Sequence, residues 1–153
     1  MIESDSRILD VGCGPASIAV GLARWAHSGH VTGIEVTDEI LATAAATVAE
    51  AGAANVTLAN ESVYELPYDD GSFDVVYAHQ VCQHLSDPVA AISEMARAVR
   101  PDGRVAVRDS DYSTMIFQVS AACAAAARYE MAIIRGTLPA RGRMASRRRR
   151  ACR

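Results

Sequence analysis

The chain of 153 residues contains no lysine; all 15 of its basic residues are arginine. That absence excludes a phosphate-binding loop whose lysine reaches the β- and γ-phosphates. Aromatic residues make up only 5%, and none interleaves the arginine-rich end, which speaks against the stacking platforms of nucleic-acid binders. Cys13, Cys82, Cys123 and Cys152 form no C-x-x-C pair and no Cys/His cluster with zinc spacing, so no metal site is expected. Reduced thiols in a cytoplasmic protein are the simplest expectation. No apolar run approaches the ~20 residues of a membrane span. The start, Met1-Ile2-Glu3-Ser4-Asp5, lacks the form of a secretory signal.

Half of the residues are hydrophobic, enough for one domain with a continuous core. The net charge of −3 hides an asymmetry. Residues 1–134 hold 18 acids and 7 Arg, a net of −11, whereas residues 135–153 hold 8 Arg and no acid, a net of +8. The first stretch is expected to be the folded domain. The second has no apolar period and is expected to be a tail without packed structure. A basic interaction arm is the alternative; a misread or truncated reading frame is favoured, because arginine-only runs arise readily from GC-rich DNA.

Strand and helix patterns alternate. Short apolar runs at residues 7–11, 30–36, 55–59, 73–78 and 104–108 predict five strands. Helical spacing predicts helices over residues 17–27, 38–51, 88–99 and 119–135. Runs such as Ile8-Leu9-Asp10-Val11 and Val75-Val76-Tyr77-Ala78 are apolar without alternation, as in strands covered on both faces. The expected fold is therefore α/β: a Rossmann-like, doubly wound, mostly parallel sheet with helices on both faces. In such a sheet ligands sit at the carboxyl ends of the strands, where strand order reverses.

That edge carries the candidate chemistry. Gly12 and Gly14 lie in the turn leaving the first strand and allow backbone N–H groups to approach a ligand. Glu35 ends the second strand, where a carboxylate can accept both hydroxyls of a ribose. A dinucleotide fingerprint would need glycine at position 17, which is Ser17. His79 and Gln80 follow the fourth strand at the same edge; His79 is the candidate general base or substrate contact, with stabilisation of the turn the simpler reading. His84 is a weaker candidate for that edge. Asp109, Asp111 and Tyr112 follow the fifth strand and could touch an acceptor, although a solvated loop is the simpler reading.

Five stretches in this order resemble the class I S-adenosylmethionine-dependent methyltransferases, in the small-molecule branch of the ubiquinone/menaquinone type. They are Ile8-Leu9-Asp10-Val11-Gly12-Cys13-Gly14-Pro15-Ala16, Val31-Thr32-Gly33-Ile34-Glu35-Val36-Thr37, Glu65-Leu66-Pro67-Tyr68-Asp69-Asp70-Gly71-Ser72-Phe73-Asp74-Val75-Val76, His79-Gln80-Val81-Cys82-Gln83-His84-Leu85-Ser86-Asp87-Pro88 and Glu94-Met95-Ala96-Arg97-Ala98-Val99-Arg100-Pro101-Asp102-Gly103-Arg104. The resemblance covers roughly residues 5–115. It implies S-adenosylmethionine as cofactor and a small organic molecule as methyl acceptor. By it, Asp10, Gly12, Gly14 and Ala16 would line the methionine half of the cofactor, Glu35 would bind the ribose and Val36 would pack on the adenine. Gln80 would contact the cofactor carboxylate.

Two positions depart from the family. Its third turn glycine is Ala16 here. The acid that meets the adenine amino group corresponds to Ser62, followed by Val63, so a hydrogen-bonding group remains but its charge is lost. The family sheet has seven strands, the last two an antiparallel hairpin. Only five are placed here, so the chain is expected to be incomplete at its C-terminus, with an open sheet edge that could pair in a homo-oligomer. The alternatives are a non-catalytic cofactor-binding remnant and, with less support, an NAD-dependent oxidoreductase. Nucleic acid and membrane are not expected as partners.

Overall fold

A computed structural model describes residues 2–110 and the backbone of Tyr129–Arg135. The strands are β1 (Arg7–Val11), β2 (His30–Glu35), β3 (Val56–Asn60), β4 (Phe73–His79), β5 (Val99–Ser110) and β6 (Tyr129–Arg135). The helices are α1 (Ser17–Trp25), α2 (Asp38–Ala51) and α3 (Pro88–Ala98). One sheet forms in the order β3-β2-β1-β4-β5-β6. Strands β1 to β5 are parallel and β6 is antiparallel to β5. The order reverses between β1 and β4, which opens a crevice at their carboxyl ends. No helix among the described residues is long and apolar enough to cross a membrane.

The sheet is covered on both faces, and the two faces are packed differently. On one, Ile8, Val31 and Val75 meet Ala19 and Ala23 of α1 and Ala44 of α2. Small side chains there let the helices lie close to the strands. On the other, Leu9, Val11, Ile34, Val76 and Val105 meet Ala91, Met95 and Ala98 of α3. This double burial is why the strands read as unbroken apolar runs. Helix ends follow local chemistry: Asp87 caps α3 by accepting the Ala90 N–H at 3.0 Å, with Pro88 in the first turn, and Gly52 ends α2 at φ 60°.

Two expectations need correction. Of the helix expected over residues 119–135, residues 119–128 lie outside the described residues, and Tyr129–Arg135 is strand β6, not helix. The segment carries one tyrosine and two isoleucines, good strand formers, and the edge of β5 offers it a row of unpaired backbone groups. The sheet therefore has a sixth strand where only five were placed. The fifth strand, expected over residues 104–108, begins at Val99, so that Pro101-Asp102-Gly103 falls inside β5, where the register shifts from Phe73↔Val99 to Val75↔Arg104. The turn-forming residues are accommodated as a bulge. The tail, residues 136–153, and the candidates Asp111 and Tyr112 lie outside the described residues.

Candidate functional site

The crevice holds a cavity of about 250 Å³ at the carboxyl ends of β1, β2, β3 and β4. Five of the predicted cofactor residues line it: Gly12, Glu35, Val36, Val63 and Gln80. Its wall is completed by six residues that sequence reasoning did not name as cofactor contacts: Val11, Ile34, Glu61, Val81, His84 and Leu85.

The glycine turn forms the floor. Cys13 N–H donates to the Ile34 carbonyl at 3.0 Å, carrying the β1–β2 pairing one residue further, and Ala16 N–H closes the turn on the Cys13 carbonyl at 2.9 Å. Gly12, Gly14 and Ala16 all have left-handed backbone, with φ of 63°, 53° and 63°. At Gly12 a Cβ would lie 2.6 Å from Val81 Cγ2, so the residue must be glycine twice over. At Gly14 a Cβ would meet nothing within 4 Å, so the backbone there borders open space that a ligand can enter. Ala16 is fully buried and keeps the conformation a glycine would have. Helix α1 then starts with no capping side chain and no acid in its first turn, leaving its first N–H groups for an anion.

Asp10 is 2% exposed on the face of β1 that packs toward α1, outside the cavity wall. Its Oδ2 has no hydrogen-bond partner. Burial pushes its carboxyl up to about 7. A buried carboxylate left in this state costs free energy unless a cation or donor completes it. The neighbouring Cys13 is a packed thiol, 7% exposed and pressed against Gly33. Burial, then the charges of Asp10 and Glu35, push it up to about 12.

The acidic wall comes from two strand ends. Glu35 Oε1 accepts its neighbour's Val36 N–H at 2.9 Å, which turns the carboxylate across the end of β2. Glu61 follows the last residue of β3, and its N–H donates to the Glu35 carbonyl at 3.3 Å. Ser62 is exposed and outside the wall; its Oγ accepts the Tyr64 N–H at 3.2 Å. A carboxylate, Glu61, therefore lines the cavity one residue before Ser62. A carboxylate at the end of a third strand was the available signal.

The opposite wall comes from the segment after β4. Gln80 has a left-handed φ of 60°, uncommon for a residue with a side chain. Val81 follows, then a single 3-10 turn at Cys82–His84. His84 is exposed at the cavity, with its Nε2 3.1 Å from Gln83 Nε2. His79 is half-buried outside the wall. Arg108 Nη1 lies 2.7 Å from its Nε2, and the ring stacks near-parallel to Tyr77 with centroids 6.4 Å apart. A guanidinium only donates, so Nε2 accepts and the ring proton belongs on Nδ1. In this arrangement Nε2 is engaged by Arg108.

The loop between β3 and β4 is fixed from α3. Arg97 donates from Nε and Nη2 to the two oxygens of Glu94 at 3.0 and 2.7 Å. It also donates to the carbonyls of Leu66 at 3.0 Å and Tyr68 at 2.8 Å, and to Asp70 Oδ1 at 2.8 Å. Glu94 Oε1 accepts the Leu66 N–H at 3.0 Å. Hydrogen bonding from Arg97 holds the Glu94 carboxyl below its ordinary value. Leu66 is thereby seated in the α3-side core with Val63, next to the cavity.

Comparisons with known proteins agree with this geometry. A family model described as a methyltransferase domain matches residues 2–144. An uncharacterized methyltransferase of Schizosaccharomyces pombe is 39% identical over 116 residues, covering 72% of this chain and 42% of the relative. Demethylmenaquinone methyltransferase of Bacillus subtilis is 29% identical over 115 residues, covering 74% of this chain and 49% of the relative. Among solved structures, the [4+2]-cyclase SpnF is 34% identical with a TM-score of 0.66, covering 71% of this chain and 40% of that one. The chain spans less than half the length of these relatives.

Proposed function

The chain belongs to the class I S-adenosylmethionine-dependent methyltransferases, and on that premise we propose that its cavity binds S-adenosylmethionine for transfer of a methyl group to a small organic acceptor. The observation that carries this reading is the pairing of an open glycine turn with two carboxylates, Glu35 and Glu61, across one crevice. The orphaned Oδ2 of Asp10 and the open space at Gly14 support a fit to the cofactor's amino-acid end. When bound, the cofactor supplies an electrophilic methyl on a sulfonium, so the protein mainly positions the reactants.

Each residue then has a definable task. Glu35, with Oε1 turned by the Val36 N–H, accepts ribose hydroxyls. Glu61 accepts the exocyclic amine of the adenine. Val36, 63% exposed, packs with Val63 and Leu85 on the ring. Asp10 and the first N–H groups of α1 take the ammonium and carboxylate ends. His84, at the cavity mouth, is the better-placed group for an acceptor proton than His79. The unit assigned to cofactor binding is residues 1–134.

Calorimetric titration of the purified chain with S-adenosylmethionine tests the reading. Binding is expected, with Glu35→Ala weaker by about 30-fold, the loss of two charge-assisted hydrogen bonds. Glu61→Gln is expected to weaken the amine-bearing cofactor and to leave an analogue lacking the adenine amine unaffected. A folded protein that gives no heat at high ligand overturns the proposal. A second reading, cofactor binding without methyl transfer, is supported by the likeness to a protein named as a cyclase. Turnover of any acceptor excludes it.

A further inference from the structure

The carboxyl end of β5 contributes nothing to the cavity wall, yet three consecutive residues there grip the segment that does. Arg108 donates to His79 Nε2, and its carbonyl accepts the Gln80 N–H at 2.8 Å. Ser110 Oγ accepts from Gln80 Nε2 at 2.9 Å. Between them, Asp109 presents both carboxylate oxygens to the main chain: Oδ2 accepts the Cys82 N–H at 3.2 Å and Oδ1 the Gln83 N–H at 3.4 Å. These are the free N–H groups that open the 3-10 turn at Cys82–His84. The turn is too short to hold itself, and it follows a left-handed Gln80. Such a conformation persists only when its surroundings impose it.

We propose that Asp109 is a positioning residue of the cofactor cavity, fixing through the Cys82 and Gln83 N–H groups the turn that sets Val81, His84 and Leu85 in the wall. The inference rests on the reading that this cavity holds S-adenosylmethionine. The mechanism is direct. Val81 sits over Gly12, where no Cβ would fit, so the turn meets the glycine floor with no slack. Release of the turn moves one wall against the floor and removes the apolar contact for the adenine, although Asp109 never touches the ligand.

Cys82 gives a local readout. Burial, and then the charge and hydrogen bond of Asp109, push its thiol up to about 11. Loss of Asp109 therefore lowers it and speeds alkylation at mildly alkaline pH. The experiment combines calorimetry with S-adenosylmethionine and peptide-resolved alkylation of Cys82, on the full chain and on Asp109→Ala and Asp109→Asn. Asp109→Ala is expected to bind about tenfold more weakly and to alkylate faster. Asp109→Asn keeps one acceptor oxygen and is expected to recover most of the affinity, about threefold below the parent chain. Asp102→Asn, beside Gly103 at the other edge of the sheet, is expected to bind as the parent chain does.

Parent-like affinity in a folded Asp109→Ala overturns the inference while leaving the cofactor reading intact. If Asp109→Ala does not fold, parent-like affinity in Asp109→Asn together with faster alkylation overturns it equally. A parent chain that binds no cofactor overturns the reading itself, and with it this role for Asp109.

Discussion

On the β1–β2–β3 side of the cavity the chain is fixed by its own backbone: Cys13 N–H on Ile34, Ala16 N–H on Cys13, and Glu61 N–H on Glu35. On the β4–β5 side it is fixed by side chains. Asp109 holds the turn at Cys82–His84, Ser110 and Arg108 hold Gln80 and His79, and Glu94 with Arg97 holds the loop at Leu66. The first wall depends on main-chain groups, which every residue carries. The second depends on partners 26 to 31 positions apart. A wall built from backbone is rigid by construction. A wall built from side chains can be retuned by single substitutions.

The largest expected effect breaks the backbone-held wall. Gly12→Val forces a side chain into left-handed backbone and against Val81 Cγ2, and calorimetry is expected to find S-adenosylmethionine binding weakened by more than about 100-fold. The next concerns the buried acid at the join. Burial raises the Asp10 carboxyl to about 7 from its ordinary value of 3.8, so the folded chain binds this proton more tightly than the unfolded chain. Its linkage lowers stability as pH rises from about 4 to about 7, by up to about 4 kcal/mol, with no further change above that. Urea unfolding across this range should show the fall, and Asp10→Asn should flatten it.

Arg97→Ala probes the side-chain-held wall. Hydrogen exchange is expected to show lost protection at the Leu66 amide, with the amide of Cys13, held by the Ile34 carbonyl, unchanged. Equal loss at both would erase the distinction between them. The smallest effect is that of Ser62→Ala. Its hydroxyl serves only the Tyr64 N–H, and cofactor affinity is expected to change by less than about twofold.

The same division governs what could be read from the residues alone. The turn from Gly12 to Ala16, the acid at Glu35 and the bounds of α2 are local patterns, legible because periodicity, caps and glycine act over a few positions. Glu61 lay one residue from the position singled out, since counting back from Leu66-Pro67 cannot register where β3 stops pairing with β2. His79 was a plausible base by position, but its partner Arg108 is 29 residues away, and sequence spacing carries no sign of that bond. The Glu94 and Arg97 grip on Leu66 was equally invisible, although the segments carrying it were recognisable. At β6 local helix propensity lost to the open edge of β5, a tertiary effect.

The packing of Cys13 carries a chemical consequence. A sulfonium methyl donor is an alkylating agent, and a thiolate is among its best targets. Burial pushes the Cys13 thiol up to about 12, and it lies behind the turn with 7% of its surface exposed. A sulfur kept protonated and covered in this way is a poor nucleophile. The charges of Asp10 and Glu35, which add to the effect of burial, help to keep it unreactive.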